Sequence, residues 1–253
     1  MNVTVLAKYV PNPQAMPTLG PDHLLMRSGG DGVLDQGDEY GLEAALQLTE
    51  AQGGEVTVVT MGPDVAVAAV QRALAMGAHR GVLITDPALR GADALTTARV
   101  LAAAIARQPF DLVIGGVESA DGYTGTVPVT VAELMDLPSV TAARTVHPDG
   151  DGLRIERMTA DGYDVLACPL PALVTVTAGA TEPRYPSLKG IMAAKQKPLE
   201  RLTIADLEIA DVVATQTVTE VTDAPAKAGG EVLPAGDEAI ARIVDLLAEA
   251  KVI

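Results

Sequence analysis

Apolar, β-branched runs alternate with helical segments through the first half of the sequence, and this alternation restricts the possible folds more than any other feature. Runs rich in Val, Ile and Thr, which are typical of strands, lie at 2–10, 55–62, 80–86 and 110–116. Segments with helical periodicity follow at 38–54, 63–78, 91–108 and 126–138. Such alternation indicates right-handed βαβ crossovers. We therefore predict an α/β fold with a doubly wound, mainly parallel, Rossmann-like sheet.

The rest of the chain lacks this regular alternation. Short β-like segments between 139 and 177, of which “ALVTVT” is the last, predict hairpin strands that extend the sheet. Two more short strands are predicted within 23–35, around the turn “SGGDG”. We predict extended structure at 202–210 and a last amphipathic helix at 238–253.

These patterns divide the chain into three parts. We predict an α/β domain at 1–180, a separate basic segment at 181–200, and an arm with a C-terminal helix at 201–253. The arm packs either on the chain's own sheet or on a partner subunit, and the sequence favours neither.

Composition excludes several classes of function. The net charge of −15 repels nucleic acid and anionic membranes, and only 2% of the residues are aromatic. A single cysteine, Cys168, allows no intrachain disulfide, and with three scattered histidines it gives no metal-ligand spacing. The start shows no charged n-region, and no apolar run reaches the ~18 residues of a membrane helix. We expect a cytoplasmic protein.

One segment after the fourth main strand has the features of a phosphate site. In “GGVESADGYTGTVP” (115–128), Gly116 ends the strand, Asp121-Gly122 makes a turn, and Thr124-Gly125-Thr126 opens a helix. Unpaired N–H groups and the helix dipole favour an anion at such a helix start. The alternative is an ordinary strand-to-helix loop with a capping threonine.

Two further strand ends could contribute to the same pocket, because ligands of doubly wound sheets bind beyond the carboxyl ends of the strands. Asp35 and Asp38 stand just ahead of a helix, where either could be a plain N-cap, and Met61 ends a strand. No nucleophile elbow occurs, and none of the three histidines is placed to act as a general base. The sequence favours a binding protein over an enzyme.

Four segments resemble the β subunit of electron transfer flavoprotein, and the likeness extends over nearly the whole chain. They lie at 38–48, 73–81, 115–138 and 181–199. The last, “TEPRYPSLKGIMAAKQKPL”, is the most specific. The resemblance implies an adenine-nucleotide-binding type of Rossmann-like sheet.

The resemblance also implies a function. It implies an electron carrier, not an enzyme in its own right, that pairs with an α subunit in a heterodimer. FAD is held mainly by the α subunit, and the β subunit buries a structural, redox-silent AMP. The carrier takes electrons from acyl-CoA and related dehydrogenases of fatty acid oxidation and passes them to a membrane quinone oxidoreductase.

The AMP-binding residues carry over to three strand ends. The resemblance implies that AMP contacts Leu6, Ala7, Asp35, Gln36, Gly37, Asp38, Met61, Gly116, Asp121, Gly122, Thr124, Gly125, Thr126 and Val127. The family often has Asn-Pro where Asp35-Gln36 stand. Two alternatives stay open: a bifurcating-type subunit with a second FAD in place of AMP, and a stand-alone adenine-nucleotide-binding protein. An ATP-cleaving ligase-type domain would need a pyrophosphate loop after the first strand, and “KYVPNP” is not one.

The basic segment corresponds to the family's recognition loop for dehydrogenases. The resemblance implies that Leu188 inserts as an anchor into a pocket on the dehydrogenase. The resemblance also implies that the partner is contacted by the neighbouring residues Arg184, Tyr185, Lys189, Ile191 and Met192. A small apolar anchor in a charged surround gives weak docking, and the lysines would assist it electrostatically.

Overall fold

The computed structural model describes residues 1–27, 31–209, 212–226 and 229–253. In these residues nine strands form one central sheet, and two more, Tyr9–Val10 and Val33–Leu34, form a small separate sheet. In chain order the strands are β1 (Val3–Leu6), β2 (Tyr9–Val10), β3 (Val33–Leu34), β4 (Val56–Met61), β5 (Arg80–Ile84), β6 (Leu112–Gly116), β7 (Ser139–Asp149), β8 (Gly152–Thr159), β9 (Gly162–Pro169), β10 (Ala172–Val176) and β11 (Leu199–Leu202). The helices are α1 (Gln36–Gln52), α2 (Val67–Met76), α3 (Ala94–Ala106), α4 (Val127–Leu134), α5 (Leu188–Ala194), α6 (Ile204–Leu207) and α7 (Asp237–Glu249).

The sheet has the order β11-β5-β4-β1-β6-β10-β7-β8-β9. All neighbours from β11 to β7 are parallel, and β7, β8 and β9 are antiparallel. Successive residues of β1 point to opposite faces, so Val5 packs with α1 and α2, whereas Leu6 packs with α3 and α4. Helices therefore cover both faces, and the predicted doubly wound, mainly parallel α/β fold is confirmed.

Three local predictions are wrong. β10 is not a hairpin strand but runs parallel between β6 and β7, where all its residues are buried. No strand forms at 23–27, and Val33–Leu34 pairs with Tyr9–Val10 instead. In the segment predicted as extended, residues 204–207 form α6, whose start has a capping box between Thr203 and Asp206. Most of the predicted “SGGDG” turn (28–30) lies outside the described residues.

The chain separates into two compact units, Met1–Thr219 and Glu220–Ile253. The second unit contains α7, which confirms the predicted last helix but ends it at Glu249. Its apolar stripe of Ile240, Ile243, Val244 and Leu247 is exposed, so the prediction that this helix packs on another surface stays a prediction. Within the described ranges, no helix is both long and apolar enough to cross a membrane.

Candidate functional site

The carboxyl ends of β4, β1 and β6 lie side by side, since β1 is paired with both other strands. Leu6, Met61 and Gly116 are the last residues of these strands, and Ala7 continues from β1. The helices α1 and α4 begin at the same edge, after β1 and after β6. The sheet thus brings the three predicted strand ends together, which is where parallel α/β sheets bind ligands.

Two buried aspartates join the start of α1 to these strand ends. Asp35 is the N-cap of α1: its side chain accepts hydrogen bonds from the N–H of Gly37 (2.8 Å) and of Ala120 (2.7 Å). Asp38 accepts from the N–H of Lys8 (2.7 Å) and of Gly116 (3.2 Å). Each carboxylate therefore satisfies backbone donors from two different elements, and the edge of the sheet is preformed.

Burial raises the pKa of Asp38 to about 7, and the nearby charge of Asp35 adds to this effect. The two backbone donors oppose the rise without cancelling it. A carboxyl group with such a pKa titrates near neutral pH, in contrast to an exposed aspartate at ~3.9.

A third aspartate, Asp121, lies between two cations. The Nζ of Lys8 donates to Asp121 (2.6 Å) and to the hydroxyl of Ser119 (3.0 Å), and the guanidinium of Arg27 pairs with the other oxygen of Asp121. Burial alone would raise the pKa of Asp121, but Lys8 and Arg27 hold it below its ordinary value. Lys8 and Arg27 bring two positive charges to the loop that precedes α4, and Asp121, Asp35 and Glu118, whose carboxylate would lie 3.8 Å from a Cβ on Gly125, bring negative charge to the same loop.

The loop from Gly116 to Val127 leads into α4 through two residues with left-handed backbone. Tyr123 has φ +49° and Gly125 has φ +61°, a region that only glycine adopts without strain. Thr126 precedes α4, and its side chain makes no capping hydrogen bond. Thr124 and Thr126 are both exposed at this helix start.

The structure does not connect all the predicted site residues. Gln36 and Gly37 form the first turn of α1, and Gly37 approaches the loop closely, since a Cβ there would lie 3.5 Å from the carbonyl of Glu118. Met61, by contrast, packs against the core on the α3 and α4 face. No described hydrogen bond joins Met61 to the loop.

Sequence reasoning missed both cations of this site. Lys8 lies two residues beyond the end of β1, but it falls inside the strand predicted at 2–10, so the sequence did not place it beyond a carboxyl end. Arg27 is 94 residues from Asp121 and comes from an irregular segment, so no local pattern marks it.

The basic segment at 181–200, which we call the recognition segment, also contacts α1. The hydroxyl of Thr181 donates to the carbonyl of Tyr40 (3.1 Å), and Arg184 pairs with Glu43 (2.8 Å) and Glu50 (2.5 Å). Burial alone would raise the pKa of Glu43, but Arg184 and Gln47 hold it below its ordinary value.

The apolar residues of the recognition segment point outward. Ser187 caps α5 by accepting from the N–H of Gly190 (3.0 Å), which makes Leu188 the first residue of the helix. Leu188 is 79% exposed and Tyr185 89% exposed. Ile191 and Met192 are exposed on the same short helix. We call Tyr185, Leu188, Ile191 and Met192 the apolar patch.

The fold and these contacts define a doubly wound α/β protein with two functional regions. One candidate is the hydrogen-bonded cluster of charged side chains at the ends of β4, β1 and β6, and the other is the apolar patch beside and on a short, capped helix.

Comparison with known proteins identifies the family. A family model described as an electron transfer flavoprotein domain matches residues 23–207. The electron transfer flavoprotein subunit beta of Mycobacterium tuberculosis (strain ATCC 25618 / H37Rv) is 39% identical, over 100% of this chain and 99% of the relative. The subunit of the same name from Bacillus subtilis (strain 168) is 38% identical over 89% of this chain and 90% of the relative. The one from Thermoanaerobacterium thermosaccharolyticum is 40% identical over 83% and 81%. The chain belongs to the electron transfer flavoprotein family, and these relatives are beta subunits.

Proposed function

We propose that this chain is the β subunit of a heterodimeric, cytoplasmic electron transfer flavoprotein. It would take electrons from acyl-CoA and related dehydrogenases and deliver them to a membrane quinone oxidoreductase. The observation that carries the proposal is the exposed Leu188 at the capped start of α5, within the segment most specific to the family. Such a leucine is available to a partner's pocket and contributes little to the chain's own core.

The pocket at the strand ends is proposed to hold AMP. The phosphate would lie at the start of α4, where helix N–H groups and the charge of Lys8 and Arg27 favour an anion. Gly125 provides the left-handed turn that brings the backbone to it. Asp35 and Asp38 would shape the pocket and not contact the phosphate, since a carboxylate repels an anion and their oxygens already accept backbone hydrogen bonds. The proposed contacts are Leu6, Ala7, Asp35, Gln36, Gly37, Asp38, Gly116, Asp121, Gly122, Thr124, Gly125, Thr126 and Val127, and Met61 would contribute only from its strand end, since its side chain packs against the core.

FAD is proposed to be shared with the α subunit, which holds most of it and through which the carrier's redox chemistry is supplied. The sequence of this chain contains no Gly-x-Gly-x-x-Gly dinucleotide fingerprint. We therefore assign this chain to closing over the flavin, retaining AMP and docking to dehydrogenases.

Nucleotide analysis tests the proposal. The chain is purified together with its α subunit and denatured, and the released nucleotides are separated by chromatography. Equal amounts of AMP and FAD are expected. Twice as much FAD as heterodimer, with no AMP, would favour the bifurcating alternative. A chain that forms no complex with an α subunit and holds only an adenine nucleotide would favour the stand-alone alternative.

A visible spectrum of the chain purified alone separates the first two cases independently. We expect no stoichiometric flavin band, because the chain on its own lacks a dinucleotide fingerprint.

A further inference from the structure

The recognition segment is held at both ends by cationic side chains. At its start, the guanidinium of Arg184 donates to both oxygens of Glu43 (2.8 and 2.9 Å) and to both oxygens of Glu50 (2.5 and 3.1 Å). The backbone N–H of Arg184 adds a further bond to Glu43 (3.2 Å). Both carboxylates belong to α1, so one arginine fixes the chain direction just before the apolar patch.

At the other end, the Nζ of Lys197 donates to the carbonyl oxygens of Leu74 (2.9 Å) and Ala78 (2.6 Å). These carbonyls lie at the C-terminal end of α2, where cations are favoured. Between the two ends, Gly190 brings α5 against α2, since a Cβ on Gly190 would lie 2.4 Å from the carbonyl oxygen of Ala75. The short helix α5 is therefore fixed at its start, its middle and its end.

The surroundings of Arg184 decide what its charge can do. The side chain of Glu43 is only 5% exposed, and Glu43 and Glu50 together supply two negative charges against one positive charge. Bidentate arginine–carboxylate pairs of this kind are directional as well as strong. The next residue, Tyr185, is almost fully exposed. Arg184 is thus the last residue held by α1 before the exposed side chains of the apolar patch begin.

We propose that Arg184 is a positioning residue for docking: by binding Glu43 and Glu50 it holds the apolar patch in the conformation that a dehydrogenase recognises. The proposal rests on the proposed function. It replaces the expectation that Arg184 contacts the partner directly. The physical benefit is preorganisation, because a patch that is already ordered loses less conformational entropy when it is buried in a complex.

Hydrogen exchange of the full chain, bound to its α subunit, tests the positioning without any dehydrogenase. In Arg184→Ala, the hydrogen-bonded amides within 185–192, among them those of Gly190 and Ile191, are expected to exchange about tenfold faster, since an interaction of ~1.4 kcal/mol changes an opening equilibrium by one decade. The matched control is Arg72→Ala. Arg72 pairs with Glu39 of the same helix α1 at 3.0 Å and is 38% exposed, against 35% for Arg184, but it lies outside the recognition segment. Unchanged exchange at 185–192 in Arg184→Ala, or an equal change in Arg72→Ala, would overturn the proposal.

A double-mutant cycle with Leu188→Ala tests the link to docking. With an acyl-CoA dehydrogenase as electron donor, Arg184→Ala is expected to raise the KM for the carrier about tenfold and to leave kcat unchanged. In the Leu188→Ala background, Arg184→Ala should raise KM by clearly less than tenfold, because part of the patch that Arg184 positions has been removed. Additive effects would mean that Arg184 contacts the dehydrogenase itself, which overturns the positioning role.

A substitution of Glu50, the more exposed of the two carboxylates that bind Arg184, provides a test that does not depend on how stable Arg184→Ala is. Removing Arg184 leaves Glu43 buried and unpaired, which destabilises strongly. Glu50 is 57% exposed, so in Glu50→Gln the buried Glu43 keeps its pairing with Arg184 and no unpaired charge is left buried. It should change exchange and KM in the same direction by about twofold, as weak pairs do. No change in either quantity would count against the proposal. If wild-type carrier accepts no electrons from the dehydrogenase while exchange behaves as expected, the proposed function fails and the positioning of the patch stands.

Discussion

The pocket at the strand ends and the recognition segment both contact α1, but they differ in which side chains are buried and which are exposed. In the pocket, Asp35 and Asp38 are buried and their oxygens accept backbone hydrogen bonds. In the recognition segment, charged groups fix the backbone, and apolar side chains are left exposed. Under the proposed function, this difference would suit the pocket to a permanently bound ligand and the patch to a partner that binds transiently.

The largest expected effect is on the pocket, from Gly125→Val. A β-branched residue at φ +61° costs about 2 kcal/mol of strain, and loss of a ligand bound at 1,000 times its dissociation constant removes about 4 kcal/mol more. AMP content after denaturation and thermal melting of the heterodimer measure both. The matched control is Gly150→Val, at φ +58° in the turn after β7, which should show the strain alone. Full AMP content in Gly125→Val would place the phosphate elsewhere.

The next effect is on the recognition segment, from Leu188→Ala. Burial of a leucine side chain is worth roughly 1.5–3 kcal/mol, so docking should weaken about tenfold or more. The free energy of unfolding should change by less than about 0.5 kcal/mol, because the side chain is exposed in the free protein. Reduction of the carrier by an acyl-CoA dehydrogenase and thermal melting measure the two quantities. Leu134→Ala, an exposed leucine on α4, is the control. A lower melting temperature with unchanged docking would make Leu188 a core residue.

A third prediction concerns the pH dependence of the pocket. The pKa of Asp38 is about 7 in the folded chain and ~3.9 when unfolded, so between these values the folded state holds a proton that the unfolded state has released. The free energy of unfolding should therefore fall as pH rises from about 4 to about 7, by at most ~1.4 kcal/mol per pH unit from this group.

Urea denaturation of wild type and Asp38→Asn at several pH values isolates the contribution of Asp38. The variant cannot ionise at this position, so wild type should lose stability relative to it as pH rises. A difference that stays constant across this range would show that Asp38 does not titrate there.

The smallest expected effect distinguishes two lysines of the recognition segment. Lys197→Met keeps the aliphatic stem but removes two hydrogen bonds to the end of α2, and should lower the free energy of unfolding by about 1 kcal/mol. Lys195→Met should change it by less than about 0.5 kcal/mol, since the described residues offer Lys195 no hydrogen-bond partner. If both substitutions changed the free energy of unfolding equally in urea denaturation, the hydrogen bonds of Lys197 would not set it apart from the exposed Lys195.

The sequence predicted most of the fold because the alternation of strands and helices is a local signal. It failed at β10, since an apolar run of five residues does not reveal whether its neighbours are parallel. It failed at α6 because a four-residue helix is too short to show a period and is defined by the bond between Thr203 and Asp206.

Only those parts of the candidate site that have a local sequence signal were predictable. Asp35 and the loop before α4 have local signatures of caps and turns. The contact between Arg27 and Asp121 joins residues 94 positions apart, and the contact between Arg184 and Glu43 joins residues 141 positions apart. No spacing rule reveals contacts between residues so distant in the chain.

The attachment of the recognition segment has a consequence for the kinetics of encounter. Of its four cations, Arg184 and Lys197 are bound within the chain, and only Lys189 and Lys195 face outward on a protein of net charge −15. Attraction over a Debye length, ~8 Å at physiological ionic strength, is then weak, so association should proceed near the unsteered rate of about 10⁵–10⁷ M⁻¹s⁻¹. Added salt would slow it little. Under the proposed function, the residence time would be set by the apolar patch, so a bound dehydrogenase would stay for a similar time at low and at high ionic strength.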